Sequence, residues 1–215
     1  ADMTAYLDKM VGRVDAKLAE LGIRDNTLLL FLGDNGTHSS VSSRFQGADY
    51  RGGKGSTTRR GTHVPFLASW PAVIKKGRVN SDLISSADFL PTLCEAAAVP
   101  VPAGIDGVSF LPQLRGERGS PRPWLYSWYS PRQRADMTVR EFAFDHRYKL
   151  YRGGRFFDVA ADPDEKKPLP VAQLAGEAAA SAKKLEAALG QFRDARPAEL
   201  DRQFEQAMKD LPTSK

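Results

Sequence analysis

The chain has 215 residues, 41% of them hydrophobic and 27% charged, which excludes wholesale disorder and fits one large domain or two small ones. Its 31 basic and 26 acidic side chains leave a net charge of +5, which permits anionic partners without selecting one. The single cysteine excludes an internal disulfide framework and a cysteine-based zinc cluster, and the longest apolar run, Leu28 to Leu32, falls well short of the ~18–20 residues of a membrane span.

The opening Ala1-Asp2-Met3 lacks a basic segment followed by an apolar one, so no signal peptide is expected. Met3, Tyr6, Leu7, Met10, Val11, Val14, Leu18 and Leu21 recur in steps of three and four, which predicts an amphipathic helix stopped at Gly22. Leu28 to Leu32 is a continuous apolar run of strand length, the pattern of a strand buried on both faces of a parallel sheet. Gly33-Asp34-Asn35-Gly36 follows directly, at the strand end where open α/β sheets bind ligands. Residues 37–63 are rich in Gly, Ser, Thr and Arg without clear periodicity and read as a long loop. Val64 to Trp70 predicts another strand, and Asp88 a helix N-cap for a run through Leu90, Leu93 and Ala97. Beyond residue 120 four short strand-like runs, 124–129, 139–144, 147–151 and 155–159, predict an antiparallel meander. An Ala-rich helix with Leu174, Leu185, Leu189 and Phe192 as its buried positions comes next, then a last helix opened by Pro197 and carrying Leu200, Phe204 and Met208.

Two segments can carry chemistry. Between Arg44 and Gly61 lie Arg44, Arg51, Lys54, Arg59 and Arg60 against one acid, Asp49, and Arg51-Gly52-Gly53-Lys54-Gly55-Ser56-Thr57 sets a lysine among glycines that let backbone approach a ligand closely. The segment reads either as an anion-binding loop or as a solvated basic loop. It is not a nucleotide phosphate loop, because Ala48 and Gly55 stand where that motif needs Gly and Ser or Thr. Asp34 and Asn35 offer adjacent hard oxygens suited to Ca2+ or Mg2+, or else form an Asx turn. His38, four residues after Asp34, is a candidate for substrate contact or proton transfer. Arg51 and Arg60 are candidates for gripping an anionic or sugar group, with solvated arginines as the alternative. Aromatic residues interleaved with the basic ones are few, so no nucleic acid partner is expected, and no membrane.

The order of these features, Asp25 to Gly36, Arg51 to Ser56, Gly61-Thr62-His63-Val64-Pro65-Phe66, Ser69-Trp70-Pro71, Ser86 to Leu93, Asp106 to Phe110 and Phe157 to Glu165, resembles the C-terminal half of the sulfatase family. The resemblance implies an α/β fold: part of an alkaline-phosphatase-like parallel or mixed sheet with flanking helices over residues 1–120, then a small antiparallel sheet plus helices over 121–215. It implies hydrolysis of sulfate esters, on a sulfated small molecule or carbohydrate, by a formylglycine nucleophile assisted by a divalent cation, usually calcium. By motif match Asp34 and Asn35 are expected metal ligands, and Lys54 a catalytic contact to the sulfate or the leaving oxygen. No formylglycine precursor motif is present, since Ala98 stands where the motif around Cys94 needs Arg. The nucleophile is therefore expected in an upstream half that partners this chain, which alone is expected to be inactive and open to self-association. The alternatives are a phosphomonoester or phosphonate hydrolase of the same superfamily and a non-catalytic anion-binding module.

Overall fold

The computed structural model describes residues 2–45, 47–131, 138–195 and 198–210. They group into two compact units, one of residues 1–34 and 64–121, the other of 35–63 and 122–215. Segment 35–63 thus belongs with the C-terminal residues.

The first unit opens with α1 (Asp2–Glu20), ended as its sequence requires. Gly22 takes the left-handed φ of +69°, and the Ile23 amide turns back onto the Leu18 carbonyl at 3.0 Å. Its apolar positions divide: Met10, Val11 and Leu18 are half-buried, whereas Met3, Tyr6, Leu7 and Val14 are exposed. β1 (Leu29–Leu32) pairs with β4 (Phe66–Ser69), Leu29 opposite Ser69 and Leu32 opposite Phe66. The pairing is antiparallel, where the unbroken apolar run implied a parallel neighbour, and β1 is half-buried rather than buried on both faces. The apolar run reports burial, and antiparallel pairing with β4 meets its backbone hydrogen bonds equally well.

α3 (Phe89–Ala96) is introduced by a one-turn 3-10 segment, Ser86–Asp88. Asp88 stands at the N-cap of α3 as expected but makes no side-chain cap there; Ser85 caps the 3-10 turn, and the Asp88 carboxylate reaches back to the Ser85 amide at 2.8 Å in a reciprocal capping box. Its second oxygen accepts from the Val108 amide at 2.8 Å. Gly107 makes this crossing possible, because a Cβ there would lie 2.1 Å from the Ala87 carbonyl oxygen. Thr92 Oγ1 then accepts from the Phe110 amide, which starts α4 (Leu111–Arg115), and Phe66, Phe89 and Phe110 pack ring on ring at 5.3–5.7 Å.

The second unit is built on an antiparallel meander of β5 (Leu125–Tyr129), β6 (Arg140–Phe144), β7 (Tyr148–Tyr151) and β8 (Phe156–Asp158), in that order. One face, with Ala143, Tyr148, Leu150 and Phe156, packs on Ala182, Leu185, Ala188 and Leu189 of α5 (Gly176–Gln191). The other carries Phe142, Tyr151 and Phe157, and with them the buried Lys149. Every β7 residue is buried, so both faces of the sheet are covered there. Leu174 packs on the α5 side and Phe192 stacks on Tyr126 at 3.8 Å. The last helix, α6 (Ala198–Asp210), buries none of its residues; Pro197 lies outside the described residues.

Candidate functional site

Residues 37–63 are not the structureless loop their composition predicts. They form a hairpin, β2 (Ser42–Phe45) and β3 (Ala48–Arg51), with Ser42 opposite Arg51, followed by the short helix α2 (Arg59–Thr62). Both strands are exposed along their length, so no apolar alternation marks them. The glycines have a specific task. A Cβ at Gly36 would sit 2.0 Å from the Arg60 carbonyl oxygen, at Gly52 2.3 Å from that of His38, and at Gly61 2.1 Å from that of Ser56. Three strands of backbone therefore touch directly. They are tied by Gly36 N–H to Gly61 O (3.1 Å), Lys54 N–H to Thr37 O (2.9 Å) and Gly52 N–H to Val41 O (2.9 Å). Any side chain at these glycines would force the strands apart.

On this frame Lys54 is exposed, with Gly55 after it in the left-handed region at φ +83°. Asp34 and Asn35 are exposed neighbours; Asp34 closes a segment of the first unit and Asn35 opens the second. His38 is exposed, and its Nδ1 accepts from the Ser40 amide at 3.2 Å and lies 2.8 Å from the Ser40 hydroxyl. Arg51 donates to the Ser39 carbonyl at 2.6 Å and so braces the loop it stands in. Arg60 is more deeply engaged: it grips both oxygens of Asp164 (2.7 and 3.3 Å), donates to the Arg51 carbonyl (3.0 Å) and lies over the Tyr50 ring at 4.6 Å. This pairing holds the Asp164 carboxyl below its ordinary range. Cys94 is half-buried in α3, and His63 and His146 are exposed.

Sequence reasoning did not find the cluster beneath the loop. Thr57 is buried, and two groups of the sheet hold it: Lys149 Nζ donates to its carbonyl at 2.5 Å, and its hydroxyl lies 2.8 Å from the Tyr151 hydroxyl. Glu165 completes the cluster, with Oε1 2.7 Å from Lys149 Nζ and Oε2 accepting from the Tyr151 hydroxyl at 2.5 Å. The Lys149 and Glu165 side chains are only 5% and 6% exposed. Burial pulls the Lys149 ammonium down to about 8, although its contacts with Glu165 push the other way, and burial raises the Tyr151 hydroxyl. Lys149 also lies over the Phe142 and Tyr151 rings, at 3.9 and 4.7 Å. The visible signal in the sequence was a lysine inside Tyr148-Lys149-Leu150-Tyr151, where a charge in a strand between aromatic residues needs a partner.

The donors of Asp34 and Asn35 suit a hard cation, but two side chains supply only part of the ~6–8 oxygens calcium takes. Among the described residues no group of three or more His, Cys, Asp or Glu side chains gathers to hold a metal. A cation here therefore needs further oxygens from substrate, water or other chain. No described helix is long and apolar enough to cross a membrane.

Comparison with known proteins gives this geometry its context. Residues 1–99 match the Sulfatase family model, and residues 57–194 match that of the N-sulphoglucosamine sulphohydrolase C-terminal region. Arylsulfatase A of Homo sapiens is 35% identical over 166 residues, which cover 75% of this chain and 32% of that protein. A sulfatase from Pseudoalteromonas sp. shares the fold with a TM-score of 0.66 at 24% identity, over 89% of this chain and 42% of that one. A phosphonate monoester hydrolase from Silicibacter pomeroyi does so with a TM-score of 0.64 at 24% identity, over 86% and 38%. The chain belongs to the sulfatase family and has the mixed α/β fold of its alkaline-phosphatase-like members. It spans about a third of the length of arylsulfatase A and about two fifths of the two solved structures.

Proposed function

We propose that this chain supplies the anion-gripping portion of an enzyme that hydrolyses sulfate esters of small molecules or carbohydrates, its formylglycine nucleophile belonging to a part of the sulfatase length outside these residues. The observation that carries the reading is the glycine-interlocked loop bearing an exposed Lys54, in a chain of the sulfatase family. A fixed ammonium on a loop that does not reorganise is what a sulfate group needs as charge moves onto its oxygens and the leaving oxygen.

In this reading Lys54 contacts the sulfate or the leaving oxygen, and Asp34 and Asn35 contribute two oxygens to a shell for Ca2+ or Mg2+. A bound divalent cation would serve there as Lewis acid and template. His38, its Nδ1 engaged by Ser40, would meet substrate through Nε2, in contact or in proton transfer. Arg51 and Arg60, both braced within the loop, shape the site more than they grip substrate. The phosphonate or phosphomonoester reading draws on the same anion and cation chemistry and on the fold shared with the phosphonate monoester hydrolase.

The test is turnover of a chromogenic aryl sulfate and of the matching phosphonate, by this chain alone and by a protein of full sulfatase length that carries it. The reading expects no turnover from the chain alone and a preference for sulfate in the longer protein. Preference for the phosphonate would move the assignment to the second hydrolase class, and sulfate turnover by the chain alone would place the nucleophile within these residues.

A further inference from the structure

Lys149, Glu165 and Asp164 have no part in the chemistry just proposed, yet all three converge on the segment three to six residues after Lys54. Lys149 holds the Thr57 carbonyl, Glu165 holds Lys149 and Tyr151, and Tyr151 reaches the Thr57 hydroxyl. One residue earlier, Asp164 takes Arg60 by both oxygens, and Arg60 passes the hold to the Arg51 carbonyl. Adjacent acids in Asp162-Pro163-Asp164-Glu165 thus serve two ends of one loop. Glu165 does this from the left-handed region at φ +54°, a conformation that a residue with a Cβ keeps only where its surroundings enforce it.

The cluster is poorly chosen if stability were its whole purpose. A buried ion pair is often no better than an apolar filling of equal volume, because desolvation consumes what attraction returns. Its advantage is direction: an ammonium fixed between two aromatic rings and a carboxylate can present a donor to one backbone carbonyl only. That carbonyl belongs to Thr57, the buried residue of the Gly53–Gly61 stretch. The Ser56 amide bonds back to the Gly53 carbonyl at 2.9 Å, and the turn so closed carries Lys54. Anchoring Thr57 therefore anchors Lys54.

We infer that the Lys149–Glu165–Tyr151 cluster and the neighbouring Asp164–Arg60 pair are positioning residues, which fix the 53–61 loop on the sheet and so set where Lys54 offers its ammonium to an anion. The anchoring stands on the geometry; its value to an anion rests on the function proposed above.

Amide hydrogen exchange by NMR on the 215-residue chain tests it, in wild type and in Glu165→Gln, Glu165→Ala and Asp164→Asn, with inorganic sulfate titrated into each. Asp164 is partly exposed, so its variant keeps the test open if a Glu165 variant fails to fold. The expected result is exchange at the Lys54, Ser56 and Gly61 amides that rises by about tenfold or more beyond any rise at the β6 and β7 amides, which report the global stability lost in each variant. Glu165→Gln, which keeps an acceptor for Tyr151, falls between wild type and Glu165→Ala. Sulfate shifts at Lys54 weaken in the same order. Exchange that rises equally in loop and sheet, or only in the sheet, overturns the inference and leaves a plain stabilising cluster. Selective loosening of the loop, with no sulfate response even in wild type, upholds the anchoring and overturns the anion-binding reading.

Discussion

At the scale of single residues the site divides into side chains that face outward and side chains that hold them. Lys54, Asp34 and Asn35 are exposed, and the proposed function gives each of them a chemical role. Asp34→Ala is expected to weaken calcium binding in a full-length sulfatase carrying this chain, because it removes a charged oxygen from the shell. Calorimetric titration with an unchanged affinity would reduce Asp34 to a turn residue. Lys149 is the opposite case: Lys149→Met leaves the Glu165 carboxylate buried with one partner fewer. Losing half of a buried ion pair costs about 3–5 kcal/mol, so thermal or denaturant unfolding should show a loss of that size. A loss below about 1 kcal/mol would mean that water reaches the pair.

Elements show what the sequence could and could not announce. α1, β1, β4, the meander and α5 all fall where their periodicity or apolar runs predict them, because each buries a face and burial imposes a pattern. The β2–β3 hairpin was invisible for the same reason: exposed strands need no alternation. The direction in which β1 pairs was equally hidden, since parallel and antiparallel neighbours demand similar apolar residues. For the site, the glycines around Lys54 were legible as close backbone approach. Lys149 and Glu165, sixteen residues apart, meet only through the turn after β8 and could not be paired from the chain alone. Gly52→Ala and Gly61→Ala should each disrupt the loop, since the added carbon meets backbone oxygens that cannot yield. Expected is loss of protection at the Lys54 amide, while Gly153→Ala, with open space around it, leaves the loop protected. Equal behaviour of the three variants would contradict the interlocked arrangement.

For the molecule as a whole, charge and exposed surface set the behaviour. Asp145, Asp158 and Asp164 are each held below the ordinary carboxylate value of 3.8, Asp145 by Lys184, Ser181 and backbone amides against its burial, Asp158 mainly by Arg147, also against burial, and Asp164 chiefly by Arg60. Their contribution to stability is present above pH 3.8 and is lost as acid protonates them in the fold. Lys149 acts at the other end. Its folded value of about 8 lies below 10.5, so the unfolded chain holds that proton more tightly between the two, and this contribution grows as pH rises through the window. Tyr151, raised from 10.0, opposes it above about pH 10. Melting temperature should therefore rise from pH 8 to 9.5, and a steady fall over that range would mean that Lys149 keeps its proton. The exposed Met3, Tyr6, Leu7 and Val14 on α1 offer an apolar strip for association between copies. Light scattering should show mass rising with concentration, and a strict monomer at all concentrations would show that strip to be innocuous.

In the proposed function Lys54 is the charge that serves the sulfate group. The most direct measurement is kcat for a chromogenic aryl sulfate in a full-length sulfatase carrying this chain, compared between wild type and Lys54→Ala with Lys54→Arg alongside. Lys54→Ala is expected to lose at least ~100-fold, the scale of removing one preorganised charge-stabilising donor, with partial recovery in Lys54→Arg. Turnover close to wild type in Lys54→Ala would contradict that role.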